Sequence, residues 1–155
     1  MDNPLQQSET LIFVYGTLRK KYSDLFVRNQ IPQRSIIRLL EENSAHIGEA
    51  VFQGKLFEVH GYPGAIKSAN RQDRIIGDVF KIHSERFENV ISRLDYYEEC
   101  GSKFPQPTEY SRIKCTIIFN NQPLSAWVYL YNLPTAHLQQ IESGDYLNYL
   151  KTINV

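Results

Sequence analysis

The sequence predicts an α+β protein, a small, mostly antiparallel β-barrel or curled sheet with one helix packed on it. Three observations carry that prediction. About six segments rich in β-branched and aromatic residues punctuate the chain. Only the segment opening at Ser84 has unambiguous helical periodicity. The order β–loop–β–β–β–α–β–β lacks the regular strand–helix alternation of a doubly wound sheet.

The first strand is Leu11-Ile12-Phe13-Val14, an unbroken apolar run of the kind buried on both faces. It leads into Tyr15-Gly16-Thr17-Leu18-Arg19, where a residue without a Cβ lets the backbone N–H groups of Gly16, Thr17 and Leu18 face an anion unobstructed. The same turn is as readily explained by chain reversal alone. Lys20 to Arg34 mixes Leu25, Phe26, Val27 and Ile31 with polar residues and breaks at Pro32, which predicts a short irregular helix under a long loop. Ser35 to Glu42 fits a short helix or part of a strand equally well. From Ala45 the pattern predicts two strands, HIGEAVFQ and, after Gly54, KLFEV, followed by a rigid turn over His60-Gly61-Tyr62-Pro63-Gly64 of the sort that borders a pocket. Lys67 to Arg74 is polar and exposed, and Ile75 to Ile82 is the next strand.

Ser84 is the predicted N-cap of the helix, with Glu85 in its first turn and Phe87, Val90, Ile91 and Leu94 forming the i, i+3, i+4, i+7 stripe. Four residues beyond Leu94 the same stripe reaches Glu98. If the helical turn persists, that carboxylate faces the core, where loss of water raises its pKa toward the range useful for proton transfer. If the helix frays at Asp95, Glu98 points into solvent. Gly101 to Thr108 is a Pro-containing loop. Glu109 to Phe119, with Ser111, Ile113, Cys115, Ile117 and Phe119 on one face, and Leu124 to Tyr131 then form a hairpin about Asn120-Asn121-Gln122-Pro123. The tail from Gly144 packs a few aromatics after a polar turn.

At 155 residues the chain is expected to be a single domain, with residues 1–10 a flexible lead-in. Lys plus Arg and Asp plus Glu are both 17, so the basic field that attracts nucleic acid or an anionic membrane is missing. The N-terminus lacks a basic region followed by an apolar run, and no apolar stretch reaches the length of about 20 residues needed to cross a bilayer, which predicts a soluble cytoplasmic protein. Cys100 and Cys115 are too few for a disulfide framework. Cys115 lies on an apolar strand face, and the acidic neighbours Glu98 and Glu99 work against a reactive thiolate at Cys100. His46, His60, His83 and His137 are dispersed, without the spacing of a zinc site, and no Walker A or GxGxxG loop is present, so neither a metal nor a nucleotide cofactor is expected. What remains is a candidate anion-binding turn after the first strand and one carboxylate, Glu98, after the main helix. That pair suits an intramolecular acyl transfer in which the substrate supplies its own nucleophile.

Tyr15-Gly16-Thr17-Leu18 after a hydrophobic strand, Gly61-Tyr62-Pro63-Gly64, Leu94-Asp95-Tyr96-Tyr97-Glu98 closing the helix, and Glu109-Tyr110-Ser111-Arg112 opening the next strand together resemble the gamma-glutamylcyclotransferase-like proteins, in particular their AIG2-like, gamma-glutamylamine cyclotransferase branch. The resemblance runs in one order from about Leu11 to Tyr131, with a Ser143-Gly144-Asp145-Tyr146 tail similar to that of bacterial members. It implies a small mixed β-barrel with flanking helices. It further implies cleavage of a γ-glutamyl amide by the substrate's own α-amine, giving 5-oxoproline and a free amine. By the same resemblance Tyr15, Gly16, Thr17 and Leu18 hold the glutamyl head group, Glu98 is the general acid and base, and Tyr110 lines the pocket. The implied partner is a small γ-glutamyl substrate, bound by a monomer or weak homodimer. A non-catalytic protein that binds a metabolite or partner in the same pocket is the alternative, and a third possibility makes Glu98 a structural acid paired with Arg112 or Arg93.

Overall fold

The structure, a computed structural model, describes residues 10–22 and 34–153. Most of the expected lead-in and the core of the expected Lys20–Arg34 helix lie outside the described residues. The elements are β1 (Leu11–Val14), α1 (Arg34–Glu42), β2 (Ser44–Glu58), β3 (Pro63–Lys67), β4 (Arg74–Ile82), α2 (Phe87–Tyr97), β5 (Tyr110–Phe119), β6 (Gln122–Tyr131), β7 (Gln139–Gln140) and α3 (Tyr146–Ile153). Among the described residues no helix is long and apolar enough to cross a membrane.

Five strands close a barrel in the order β2-β4-β1-β6-β5, with Val51 of β2 paired to Ile118 of β5 at the seam. The β1–β6 pair is parallel and the others are antiparallel, so the expected mixed, mostly antiparallel barrel with flanking helices is what the chain forms. Alternation along β1 divides the protein into two cores. Leu11 and Phe13 point into the barrel with Phe52, Val79, Ile117 and Val128. Ile12 and Val14 point outward, under Ile37 and Leu40 of α1 and Val90, Ile91 and Leu94 of α2. A strand covered on both faces explains the unbroken apolar run.

The hairpin turn follows from its sequence. Asn120 and Asn121 both have positive φ, 50° and 63°, and Phe119 pairs with Gln122. That is a two-residue loop of the I′ type, for which asparagine is favoured.

Several local expectations are corrected. Residues 44–58 form one strand rather than two: the register shifts at a bulge between His46 and Gly48, pairing with β4 resumes and runs to Gln53, and Gly54 to Glu58 then pair with β3. Pro63 to Lys67, expected to begin within a turn, is itself a strand. Ser35 to Glu42 resolves as helix, its Ile36, Ile37, Leu39 and Leu40 all buried on one side. Ser84 does not cap α2. Its hydroxyl meets the Glu85 carboxylate at 3.4 Å, and Ser84 to Arg86 form a 3₁₀ turn ahead of the α-helix. On β5 only part of the expected face is covered: Cys115 and Ile117 are buried, whereas Ile113 is exposed and Tyr110, of opposite parity, is buried at that end.

Candidate functional site

The strand end, the α2 terminus, the 60–63 turn and the start of β5 converge on one cavity of about 340 Å³. All six residues singled out from the sequence, Tyr15, Gly16, Thr17, Leu18, Glu98 and Tyr110, line it. Among the described residues, no hydrogen bond is donated by the backbone N–H groups of Gly16, Thr17 or Leu18, so three consecutive donors remain available beside the cavity. Gly16 is required here by space rather than by dihedral freedom. A Cβ at this position would lie 2.9 Å from Cγ of Pro63, so the turn and the opposite wall approach as closely as they do only because the side chain is missing.

Tyr15 is buried, and its hydroxyl is engaged. It donates to the Tyr129 carbonyl at 2.5 Å and accepts from the Ala65 N–H at 3.3 Å, tying β1 to β6 and β3. Tyr110, also buried, donates to the Pro63 carbonyl at 2.6 Å, with its ring 6.3 Å from that of Tyr62. Burial, and secondarily the nearby Glu98 charge, pushes the Tyr15 phenol up; burial likewise pushes up those of Tyr110 and Tyr129. All three remain neutral donors at ordinary pH.

Glu98 reaches the cavity because the helical turn persists. Its N–H donates to the Leu94 carbonyl at 2.9 Å. The next residue, Glu99, then adopts a left-handed conformation with φ 52°, and the bonds Glu99 N–H to Tyr96 O and Cys100 N–H to Asp95 O close a Schellman ending. The chain thus reverses immediately after Glu98, leaving that side chain on the stripe defined by Val90, Ile91 and Leu94. Loss of water, followed by the charges of Glu109 and Asp95, pushes the Glu98 carboxyl from its ordinary 4.5 up to about 7.

Of the two arginines offered as structural partners for Glu98, Arg112 is taken by another acid. Arg112 contacts Asp95 with both Nε, at 2.8 Å, and Nη2, at 3.2 Å, and the Tyr129 hydroxyl donates to the same carboxylate at 2.6 Å. Asp95 therefore holds the end of α2 against β5 and β6, and Glu98 one turn on is left without that guanidinium. Cys100 is half-buried, and burial pushes its thiol up, away from reactivity.

Residues not selected from the sequence complete the wall: Tyr62 and Pro63 from the shaped turn, Tyr97 and Glu99 from the helix end, Glu109 ahead of β5, and Tyr129 of β6. The Tyr62 hydroxyl donates to Glu109, joining two segments 47 positions apart. The Gly-Pro-rich spelling of the turn was the available signal for Tyr62; nothing local distinguishes Glu109. Arg19 was also missed. It is 3% exposed and meets Asp78 at 3.1 Å, Asp145 at 3.2 Å and Glu49 at 3.1 Å, fastening the end of the Tyr15–Arg19 turn to the barrel.

A small closed barrel with a cavity of ligand size, walled by the Tyr15–Leu18 turn and by Glu98, Glu99 and Glu109, defines the structural class. Residues 12–148 match the family described as "Gamma-glutamyl cyclotransferase, AIG2-like", and the chain belongs to that family. It is 27% identical over 138 residues to the gamma-glutamylcyclotransferase family protein YtfP of Escherichia coli, a match that covers 88% of this chain and 96% of YtfP. Among solved structures, an AIG2-like protein from Mus musculus superposes with a TM-score of 0.59 at 17% identity, covering 86% of each chain. YkqA from Bacillus subtilis superposes with a TM-score of 0.63 at 24% identity. That match covers 94% of this chain and 42% of YkqA. These two likenesses establish the shared fold.

Proposed function

We propose that the protein is a γ-glutamyl cyclotransferase that cleaves a γ-glutamyl amine or amide to 5-oxoproline and a free amine. The observation that carries this reading is the Glu98 carboxyl, lifted to about 7, in the same cavity as the three free N–H groups of Gly16, Thr17 and Leu18. In the proposed reaction those N–H groups receive the substrate's α-carboxylate, fixing the glutamyl moiety. Glu98 takes a proton from the α-ammonium. The freed amine attacks the γ-carbonyl carbon, the new C–N bond closes the five-membered ring, and the old γ-amide C–N bond breaks. Glu98 passes that proton to the departing nitrogen, and the second proton, shed by the ring nitrogen as it becomes the lactam N–H, follows the same way, so that the amine leaves as an ammonium ion. Ring closure within one bound molecule needs orientation more than a protein nucleophile, and a carboxyl near neutrality can both accept and return a proton.

The test is release of 5-oxoproline from a panel of γ-glutamyl amines and peptides. Wild type is expected to turn over at least one. Glu98→Gln is expected to lose roughly 10²- to 10⁴-fold in kcat, the contribution typical of a positioned acid–base group. kcat/KM should rise with pH up to about 7 and level off above it, because the base form of Glu98 carries the first step. A panel left untouched by wild type, or a Glu98→Gln protein as fast as wild type, removes the reading.

A further inference from the structure

The geometry points to the tail residues Asp145 and Tyr146 as positioning residues that hold two walls of the cavity, the turn after β1 and the 60–63 turn, at a fixed separation. This placement serves any ligand, and only its kinetic readout rests on the cyclotransferase reading. Neither residue lines the cavity. Each grips one of its walls from behind. Asp145 Oδ1 accepts from Arg19 Nη1 at 3.2 Å, and Arg19 closes the turn after β1, its own N–H donating to the Gly16 carbonyl at 3.1 Å. One position on, the Tyr146 hydroxyl donates to the Gly61 carbonyl at 3.1 Å.

The second contact meets a segment that needs holding. His60 and Gly61 have φ of 96° and 98°, and for His60 that is a conformation a residue with a Cβ rarely adopts. The Gly61 N–H donates to Glu58 Oε1 at 2.6 Å and the Val59 N–H to the Tyr62 carbonyl at 2.8 Å. With the Tyr146 bond, both the N–H and the carbonyl of Gly61 are engaged, and the adjoining Tyr62 is set to donate to Glu109. The tail is a firm anchor for this. Gly144, φ 68°, lies so close to β4 that a Cβ would stand 1.8 Å from the Arg74 carbonyl oxygen, and its own carbonyl accepts the Ile76 N–H at 2.8 Å. Asp145 also accepts the Asn148 N–H at 3.1 Å, capping α3, whose Tyr146 and Leu147 are buried. Because Asp145 and Tyr146 are neighbours on one docked element, the two turns they grip are fixed relative to each other, as the close approach of Gly16 to Pro63 requires.

The experiment compares wild type with Tyr146→Phe and Asp145→Asn. Leu147→Ala is the control, a core truncation in the same helix that destabilises the fold without removing a hydrogen bond to either turn. Native-state amide hydrogen exchange, read residue by residue by NMR, comes first. Tyr146→Phe is expected to speed exchange at Val59 and Gly61, and Asp145→Asn at Arg19, by roughly 3- to 10-fold relative to the barrel strands, the effect of losing one hydrogen bond. Leu147→Ala is expected to show no such local excess. In 5-oxoproline release the two tail variants should raise KM by a similar factor with kcat changed by less than about twofold, while Leu147→Ala, assayed where it is folded, keeps the wild-type KM. Exchange at Gly61 and Arg19 as slow as in wild type overturns the proposal. So does an unchanged KM in both tail variants, or a KM in Leu147→Ala raised as far as theirs. If wild type releases no 5-oxoproline from any conjugate, the cyclotransferase reading falls alone and the exchange rates decide the positioning role.

Discussion

Two carboxylate-rich groups meet the same turn after β1 and differ in what neutralises them. Around Arg19, the carboxylates of Asp78, Asp145 and Glu49 all contact one buried guanidinium, and Asp78 also accepts the Lys20 N–H at 3.2 Å and lies 3.1 Å from His46 Nε2. Around the cavity, Glu98, Glu99 and Glu109 face a described wall without a cation. The first arrangement converts charge into position, because removing any partner strands another. The second leaves charge uncompensated, which costs the fold stability and keeps the carboxylates available to a ligand. A buried acid is therefore informative only together with its partner.

The largest effect expected from this contrast is on the paired side. Arg19→Met should lower stability by about 3–5 kcal/mol, the usual consequence of leaving a buried carboxylate such as Asp78 unpaired. Urea unfolding measures it. A loss under about 1 kcal/mol would mean that the three carboxylates tolerate solvent and that the cluster is not structural.

On the unpaired side the sign reverses. The folded protein holds the Glu98 proton up to about 7, whereas the unfolded chain releases it near 4.5. Between those values the folded state binds more protons, so stability falls as pH rises through the window and the loss is complete above about 7. Glu98→Gln removes the penalty. It should match wild type at pH 4 and exceed it at pH 8 by about 2–3 kcal/mol, seen as a higher Tm. A variant less stable than wild type at pH 8 would give Glu98 a structural role.

The smallest effect concerns Glu99, whose left-handed conformation favours glycine. Glu99→Gly should stabilise the protein by about 0.5–1 kcal/mol in thermal or urea melts, both by easing that residue and by removing one uncompensated charge. Destabilisation would show that the Glu99 side chain makes a contact that outweighs its backbone strain.

What could be read in the sequence was whatever local physics decides. β1, β4, the β5–β6 hairpin and α2 announce themselves by apolar runs, alternation or helical period, and Glu98 follows from counting four residues past Leu94. β2 reads as two strands because Gly54, a glycine kept by the close approach of the Ile66 carbonyl, looks like a break in a one-dimensional pattern. Pro63 to Lys67 was hidden by the turn residues at its own start. Glu109, Tyr62 and Arg19 belong to loops or turns that only barrel closure brings to their partners. The Arg112–Asp95 pair likewise spans 17 positions between a helix end and a strand. Their roles depend on neighbours distant in the chain, where residue type and spacing carry no signal.

The near-contact between Gly16 and Pro63 divides the cavity into a fixed half and an adaptable one. A methyl group at Gly16 would press on the Pro63 ring, so the end beside the first strand cannot be reshaped without moving the start of β3. Glu99 and Glu109, by contrast, border the loop between α2 and β5, which can change length and spelling while the barrel stays closed. Redesign of this scaffold for other ligands should begin with that loop and leave the Gly16 wall untouched.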